Sequence, residues 1–210
     1  MHRKGMSNNL TPVQSLYHLG HANWYDPFRI IWTKIVEHTL ETDFLEVLQG
    51  SITSKTKIVE IGCGTGINVG RILSLQKLFT SYLGIDFSHD MLAIARENFE
   101  DEENITFVEG DARTVAIPQK YDLVLCTWVL SHTPKPSAVV NRFYKNLHKD
   151  GTMLLVYLTK PHWAVSFCFT PFMRFYHSQY VSEEEIAKMH GINLRKSYCA
   201  GLATFLIIKK

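Results

Sequence analysis

The sequence has 210 residues, of which 46% are hydrophobic and 20% are charged. This length and composition suffice for one domain with a sizeable core, so we predict a single domain over residues 1–210. The 22 Lys and Arg residues against 20 Asp and Glu residues give a net charge of +2, and the basic residues are scattered. This pattern argues against a nucleic-acid partner.

The four cysteines form no CxxC pair and have no zinc-ligand spacing, so no metal site is predicted. The N-terminal MHRKGMSNNL is polar and lacks the apolar core of a signal peptide. The most apolar later run, residues 163–176, is interrupted by Pro171 and Arg174 and is too short to span a bilayer. We therefore predict reduced thiols, a cytoplasmic protein and no membrane partner.

The chain begins with signals of helices. Thr11 and Asp26 each precede a proline, which is the pattern of an N-cap followed by Pro at the first helical position. The second of these signals opens a long amphipathic pattern that Gly50 closes. Residues 1–50 are therefore predicted to form an N-terminal helical segment.

From residue 54 onward, short apolar runs alternate with helical patterns. The predicted strands are residues 57–61, 81–85, 105–109, 122–126, 152–158, 192–199 and 203–209. The predicted helices are residues 66–78, 90–99 and 136–147, and a last helix that Ser182 caps and Gly191 ends. This alternation indicates a doubly wound α/β fold with a mostly parallel, seven-stranded sheet. Only a hairpin fits the short link between the last two strands, so the terminal hairpin should be antiparallel.

The glycine-rich run IVEIGCGTG (58–66) follows the pattern of a strand, a tight turn and the start of a helix. The dinucleotide fingerprint is GxGxxG, but here the third glycine is Gly66 and Ile67 stands where the fingerprint requires glycine. Asp86 follows about 20 residues later, where a carboxylate can accept from ribose hydroxyls. The acid indicates a nucleoside, and the glycine spacing indicates a ligand other than a pyrophosphate.

Four ordered motifs resemble those of class I S-adenosylmethionine-dependent methyltransferases of the small-molecule type. They are EIGCGTG (60–66), GIDFSHDML (84–92), VEGDA (108–112) and YDLVLCTWVLSHTPKP (121–136), followed by LHKDGTMLLV (147–156) at the fifth strand. Their order and spacing match the family over residues 54–157. The resemblance implies methyl transfer from S-adenosylmethionine, with S-adenosylhomocysteine as product, to a small-molecule acceptor by in-line attack in a water-excluded pocket.

The resemblance also implies the cofactor site. The implied cofactor-binding residues are Tyr17, Glu60, Gly62, Cys63, Gly64, Asn68, Asp86, Phe87, Met91, Gly110, Asp111, Ala112 and Thr127. Glu60 suits the ammonium group of the methionine moiety, Asp86 the ribose and Asp111 the adenine amino group, while backbone N–H groups of the glycine turn suit the carboxylate. A structural alternative stays open for each acid: holding the turn for Glu60, capping a helix for Asp86 and an ordinary turn for Asp111.

A methyl group on a sulfonium is already activated, so the enzyme mainly aligns a nucleophile behind it and excludes water. His132, after the fourth strand, is the candidate catalytic residue, since histidine can act as a general base near neutral pH. A structural role for His132 is the alternative. His162 and His177 are further candidates for a base.

Residues 159–181 are rich in Trp, Phe and Tyr and are predicted to cap the acceptor pocket. The single domain thus divides into an N-terminal lid (1–50), a cofactor-binding core (54–158), this aromatic cap, and a C-terminal helix and hairpin (182–210). The predicted substrate-binding residues are Trp24, Tyr25, Trp128, Trp163 and Phe167. Such a cap suits an apolar or aromatic acceptor. A plain helical cover or a dimer contact is the alternative.

Other functions stay open at this point. The fold could serve a non-catalytic S-adenosylmethionine-binding regulator, or a methyltransferase acting on a protein side chain. A dinucleotide-dependent oxidoreductase would need a variant glycine spacing. Methylation of DNA amino groups is disfavoured, since the fourth motif reads CTWV (126–129) instead of Asn/Asp-Pro-Pro-aromatic. The sequence is compatible with a monomer or a homodimer, and it does not identify the acceptor or the atom that is methylated.

Overall fold

The computed structural model of the protein describes residues 38–175 and 177–210. Most of the predicted N-terminal lid, including Tyr17, Trp24 and Tyr25, lies outside the described residues. The long amphipathic pattern that precedes Gly50 is described from residue 38 onward, where it is helical.

Helices and strands alternate from the first described residue onward. The helices are α1 (His38–Ser51), α2 (Ile67–Ser74), α3 (His89–Asn98), α4 (Pro136–Lys145), α5 (Trp163–Phe175) and α6 (Glu183–Ala187). The strands are β1 (Lys57–Ile61), β2 (Ser81–Asp86), β3 (Ile105–Glu109), β4 (Tyr121–Thr127), β5 (Leu147–Leu158), β6 (Ile192–Tyr198) and β7 (Ala203–Lys209). Short 3₁₀ turns, Leu130–His132 and Cys199–Gly201, follow β4 and β6.

Within the described residues, seven strands form one sheet in the order β3-β2-β1-β4-β5-β7-β6. Strands β1 to β5 pair in parallel, whereas β7 is antiparallel to both β5 and β6. The predicted fold, a mostly parallel doubly wound sheet with an antiparallel terminal hairpin, is confirmed. The strand order reverses between β1 and β4, and sheets of this kind bind ligands at the carboxyl ends of the strands beside such a reversal.

Apolar side chains cover both faces of the sheet. Along β4, Leu123 and Leu125 belong to one cluster and Val124 and Cys126 to the other, because successive strand side chains point to opposite faces. The first cluster takes Leu40, Phe44 and Leu48 from α1, Val69 and Ile72 from α2, and Leu92 and Ala95 from α3. The second takes Val139, Val140 and Phe143 from α4 and Ile186 from α6. The sheet is therefore buried on both faces, which explains its near-continuous apolar strands.

Several element boundaries differ from the sequence prediction. α2 ends at Ser74 instead of residue 78, because Gln76 takes a positive φ of 52° and Leu78, 78% exposed, has no apolar surface to cover. β5 begins at Leu147, which pairs with Tyr121 before an irregularity in the register. α4 and α6 also end earlier than predicted, at residues 145 and 187. The order and type of the predicted elements agree in the described residues, but α5 (Trp163–Phe175) was not predicted as a helix.

Candidate functional site

A solvent-open cleft of about 660 Å³ lies at the carboxyl ends of β1, β2 and β4. Its lining residues are Gly62, Gly64, Ile85, Asp86, Phe87, Ser88, Met91, Gly110, Ala112, Thr127, Trp128, Val129 and His132. Beside it lies a smaller recess of about 300 Å³, lined by Glu60, Gly62, Cys63, Gly64, Thr65, Ile67, Asn68, Thr127 and Trp128. The two share Gly62, Gly64, Thr127 and Trp128, so they adjoin along the glycine turn.

The three glycines of the turn differ in what surrounds the position of a side chain. Gly62, Gly64 and Gly66 all have positive φ, between 54° and 88°. A Cβ on Gly62 would lie 2.0 Å from Cγ2 of Val129, and one on Gly66 would lie 2.5 Å from the Phe99 ring. A Cβ on Gly64 would meet no atom of the described residues within 4 Å. Two glycines therefore permit close packing, whereas the third leaves open space on the cleft side, which is where a ligand can approach the backbone.

Asp86, at the end of β2, ties the glycine turn to the neighbouring strand. Its Oδ2 accepts from the backbone N–H of Gly64 and its Oδ1 from that of Ser88, both at 2.9 Å. Asp86 also lines the cleft, and a carboxylate has about four acceptor positions in all, so it can serve both the protein and a ligand hydroxyl. The structural and ligand-binding interpretations of Asp86 are thus compatible.

The backbone donors of the turn are used within the protein. The N–H groups of Gly62 and Cys63 both donate to the carbonyl of Ile85, at 2.6 and 3.1 Å, and that of Gly66 donates to Cys63. Together with the bond from Gly64 to Asp86, these contacts occupy the donors that the sequence analysis assigned to a ligand carboxylate. That expectation is not supported at these four N–H groups.

Glu60 is buried at the base of the smaller recess. The Tyr82 hydroxyl donates to its Oε2, and Nδ2 of Asn68 donates to its Oε1 at 2.5 Å. Burial raises the pKa of Glu60 to about 7, although these two hydrogen bonds act in the opposite direction by favouring the ionised form. Near neutral pH, this carboxyl can therefore gain or lose a proton in response to a ligand charge.

Trp128 directly follows β4 and lines both the cleft and the smaller recess. Its φ of +69° is uncommon for a bulky residue and strains the backbone. The bond from its backbone N–H to the carbonyl of Val156, at 2.6 Å, anchors it to β5. Strained residues of this kind cluster at functional sites. Contact between Trp128 and an acceptor stays a prediction.

His132 lies in the 3₁₀ turn after β4 and lines the cleft. Burial lowers its pKa to about 4, and the charge of the neighbouring His177 acts in the same direction. The turn is fixed to β5, because the hydroxyl of Ser131 accepts from the N–H of Leu158 at 3.0 Å. At neutral pH the imidazole is therefore uncharged and can accept a proton.

Three of the predicted cofactor- and substrate-binding residues lie in the described part of the chain but line neither the cleft nor the smaller recess. Asp111 flanks the lining residues Gly110 and Ala112, yet its carboxylate is bonded to Nε of Arg113 at 2.9 Å, which lowers its pKa. Trp163 and Phe167 lie on α5 and are 75% and 81% exposed. Ligand contact by these three residues stays a prediction, as it does for Tyr17, Trp24 and Tyr25 outside the described residues.

Several residues that build the site were not predicted from the sequence. Val129 follows Trp128 and packs on the glycine turn, so its place beside the fourth motif was the available signal. Ser88 lines the cleft and caps α3, since its hydroxyl accepts from the N–H of Met91 at 3.4 Å. Tyr82 gave no signal, because an aromatic residue in an apolar strand looks like a core residue.

The charges of the site restrict its ligand. None of the described residues that line the cleft and the smaller recess is Lys or Arg, whereas both linings contain a carboxylate. No group of three or more described His, Cys, Asp or Glu side chains is placed to hold a metal ion. These features fit a ligand with a nucleoside diol and a positively charged end and without phosphates, as the sequence analysis expected for S-adenosylmethionine.

Comparisons with known proteins agree with this geometry. Residues 58–151 match a family described as a methyltransferase domain. The chain is 34% identical over 104 residues to a phosphatidylethanolamine N-methyltransferase of Cereibacter sphaeroides, covering 48% of this chain and 49% of that protein. It is 30% identical over 145 residues to a ubiquinone biosynthesis O-methyltransferase of Methylococcus capsulatus, covering 67% of this chain and 59% of that protein.

A solved structure with a similar fold is that of the N-methyltransferase NodS from Bradyrhizobium japonicum in complex with S-adenosyl-L-homocysteine. It has a TM-score of 0.64 at 13% identity, covering 83% of this chain and 87% of that one. The chain spans about half the length of the curated relatives it matches. Among the described helices, none has both the length and the apolar character that crossing a membrane requires.

Proposed function

We propose that this protein is a class I, S-adenosylmethionine-dependent methyltransferase that transfers a methyl group to a small-molecule acceptor. The match of residues 58–151 to a family described as a methyltransferase domain supports this proposal. The observation that carries this proposal is the cleft with Asp86, adjoined by the recess with Glu60, on either side of a glycine turn. The names of the relatives include both O- and N-methyltransferases, so they do not favour one acceptor atom.

Different residues of the chain bind different parts of S-adenosylmethionine. Bound S-adenosylmethionine supplies a methyl group that is already activated on a sulfonium. Asp86 lines the cleft at the end of β2, where it accepts from the ribose hydroxyls. A Cβ on Gly64 would meet no described atom within 4 Å, so this position admits the ligand close to the backbone. Ionised Glu60 attracts the ammonium group. Phe87 and Met91 line the cleft beside Asp86, where they shield the nucleoside from water.

Trp128 and His132 form the acceptor end of the proposed site. Trp128 provides an aromatic wall, which suits an apolar or aromatic acceptor. His132 is neutral at physiological pH, so it can accept a hydrogen bond or a proton from the acceptor. Its pKa of about 4 makes it a weak base. This suits a hydroxyl acceptor, whose proton becomes strongly acidic only as the new bond forms to the oxygen.

The segment containing α5 and the N-terminal lid complete the proposed arrangement. We retain residues 159–181 as the cap of the acceptor pocket and residues 1–50 as the lid over the cofactor. A cytoplasmic location and a monomeric or homodimeric state are likewise part of the proposal, on the strength of the sequence. The Trp163 and Phe167 side chains would contact an acceptor only if the cap closes over it.

Thermal unfolding with S-adenosylhomocysteine tests the cofactor assignment, with NADH as the comparison. A ligand at about 100 times its dissociation constant stabilises the fold by roughly 2.7 kcal/mol. Each kcal/mol raises the midpoint of a chain of this size by about 2–4 °C. We expect a rise of about 5–10 °C with S-adenosylhomocysteine and none with NADH.

Two matched variants sharpen this experiment. Asp86→Ala should abolish the rise. Asp122→Ala is the control, because the Asp122 carboxylate also accepts from a backbone N–H, that of Lys57 at 2.8 Å, but at the opposite ends of the strands. A rise with NADH alone would favour the dinucleotide oxidoreductase. A rise with S-adenosylhomocysteine without turnover on a panel of phenols, amines and thiols would favour a non-catalytic binding protein or a protein acceptor.

A further inference from the structure

Glu60 is the end of a chain of hydrogen bonds that reaches α1 on the outside of the sheet. Asn68 donates from Nδ2 both to Oε1 of Glu60, at 2.5 Å, and to Oγ1 of Thr127, at 3.1 Å. Oδ1 of Asn68 accepts from Nη1 of Arg71 at 2.6 Å, and Nη2 of Arg71 donates to Glu41 at 2.5 Å. The described contacts thus connect a partly buried ion pair between α1 and α2 to the buried carboxyl of Glu60.

The order of donors along this chain fixes the orientation of the Asn68 amide. A guanidinium only donates, so the amide oxygen of Asn68 must face Arg71. The amide nitrogen must then face Glu60, where it can only donate. The Arg71 guanidinium is itself held, because it lies 5.7 Å from the centre of the Phe44 ring as well as on Glu41. Asn68 therefore uses its polar atoms within the protein.

Tyr82 completes the surroundings of Glu60 from the neighbouring strand. The residue is buried on β2, and its hydroxyl donates to Oε2 of Glu60. Each carboxyl oxygen of Glu60 thus accepts from a neutral donor, one from β2 and one from α2. Bonds of this kind favour the charged form of a carboxyl, whereas its burial favours the neutral form.

Other titratable and charged groups around Glu60 also affect its ionisation. They are Tyr82 and Asp86 from β2, Arg71 from α2, Cys63 from the glycine turn and Cys126 from β4. Burial raises the pKa of Cys63, Cys126 and Tyr82, so these three stay neutral at physiological pH. Arg71 lowers the pKa of Glu60 and Asp86 raises it, so these two charged groups act on Glu60 in opposite directions. In this cluster, Glu60 is the group whose charge changes near neutral pH.

We propose that Tyr82 is a positioning residue for cofactor binding: with the Asn68 amide that Arg71 orients, its hydroxyl keeps the buried Glu60 ionised for the ammonium group of the ligand. This inference rests on the proposed function. It assigns to Tyr82, Asn68 and Arg71 an action on the ligand through Glu60. It also makes ligand affinity depend on pH, since a protonated Glu60 cannot pair with an ammonium group.

The test is the dissociation constant of S-adenosylhomocysteine, measured by calorimetry between about pH 5.5 and pH 8.5. The affinity of the wild type should weaken towards acid pH. A plot of the logarithm of the dissociation constant against pH should bend near the pKa of Glu60, about 7. In Tyr82→Phe, loss of a hydrogen bond to a charged group should move this bend upward by about one to two pH units. Binding at pH 7 should then weaken roughly five- to fiftyfold, because the ionised fraction of Glu60 falls from about one half to between about one tenth and one hundredth.

Tyr157→Phe is the matched control, because Tyr157 is also buried in the sheet and its hydroxyl has no hydrogen-bond partner among the described residues. Its binding curve should follow the wild type. If Tyr82→Phe does not fold, Arg71→Gln gives the second test, since Arg71 lies near the surface with a side chain 14% exposed. Loss of its charge and of its bond to Asn68 should move the bend in the same direction.

The outcomes separate this inference from the proposed function. A wild-type protein that binds no S-adenosylhomocysteine at any pH contradicts the proposed function itself. Binding by the wild type with the same bend in Tyr82→Phe overturns the inference alone. Uniform weakening of Tyr82→Phe at every pH also overturns it, because that result shows a structural role without an effect on the ionisation of Glu60.

Discussion

At the scale of single residues, Gly62 and Gly64 stand in the same turn but have different surroundings. Gly62→Ala should lower the free energy of unfolding by about 3 kcal/mol, because it adds a positive-φ side chain in collision with Val129. Gly64→Ala should cost only about 1 kcal/mol, since its methyl group meets no atom. Unfolding in urea measures both changes.

The same pair of variants tests the approach of the ligand to the backbone. The Gly64→Ala methyl group projects into open space beside the cleft, so binding of S-adenosylhomocysteine should fall at least tenfold in a protein that is still folded. Calorimetric titration at a temperature well below the unfolding midpoint makes this measurement. Unchanged affinity in Gly64→Ala would contradict a ligand lying against the turn.

The sequence predicted the acids of the site more completely than their partners. Motif spacing identifies Glu60 and Asp86, because each stands near the end of a strand. Glu60 shortly precedes the glycine turn, and Asp86 shortly precedes a helix cap. The bond from Tyr82 to Glu60 joins two strands, and no periodicity in one strand indicates the register of its neighbour. The structure gives that register, with Tyr82 opposite Ile58 and therefore near Glu60.

At the scale of elements, α4 depends on another helix for its cap. Lys135 stands at its N-cap without a capping side-chain bond, and Pro136 follows. Oε2 of Glu185, next to α4 on α6, accepts from the backbone N–H and the hydroxyl of Ser137 at 3.0 and 2.6 Å. The carboxylate thus caps the N-terminus of α4 in place of an N-cap residue. Its negative charge also interacts favourably with the positive end of the helix dipole.

Removal of this borrowed cap should be measurable. We expect Glu185→Gln to lower the free energy of unfolding by about 1–2 kcal/mol at neutral pH. Glu184→Gln is the control, since Glu184 makes only an exposed ion pair with Lys188 and should change stability by less than about 0.5 kcal/mol. Equal effects of the two substitutions in urea unfolding would refute the cap.

The pH dependence of this effect has a definite sign. The bonds to Ser137 lower the pKa of Glu185 below its usual value of 4.5. A carboxyl with a lowered pKa contributes stability above its unfolded pKa and loses that contribution as the pH falls. The difference between the wild type and Glu185→Gln should therefore shrink in acid.

Element boundaries were less predictable than element types. Asp150 and Gly151 signal a turn, but they lie inside β5, where Asp150 takes a φ of 66° beside an irregular register with β4. Leu147 could therefore not be assigned to the strand from local pattern alone. Its pairing with Tyr121 is a contact between distant parts of the chain, and such contacts override local preference.

At the scale of the whole molecule, two site residues give the stability opposite pH dependences. The pKa of His132 falls from 6.5 to about 4, so the unfolded chain binds more protons in that window and stability rises with pH. The pKa of Glu60 rises from 4.5 to about 7, so the folded chain binds more protons and stability falls with pH. The windows overlap, and the two slopes oppose each other.

Substitution of either residue should leave the pH dependence of stability that the other residue causes. Between about pH 5 and pH 7, the stability of His132→Gln should fall, and that of Glu60→Gln should rise, each by on the order of 2 kcal/mol relative to the wild type. Urea unfolding at both pH values tests this, and the double variant should follow the wild type. Three parallel pH profiles for the wild type and the two single variants would contradict it.

The edge of the sheet has a consequence for the protein in a crowded cell. β6 has β7 as its neighbour on one side, and its side chains are almost all exposed, including Ile192 and Leu194. No described strand lies on the other side of β6, and an edge of this kind can recruit a strand from another molecule and start a fibril. Arg195 and Lys196 place positive charges on this edge, bonded to Glu183 and Asp43. An incoming strand would have to displace or bury these charges, so the edge resists growth into amyloid.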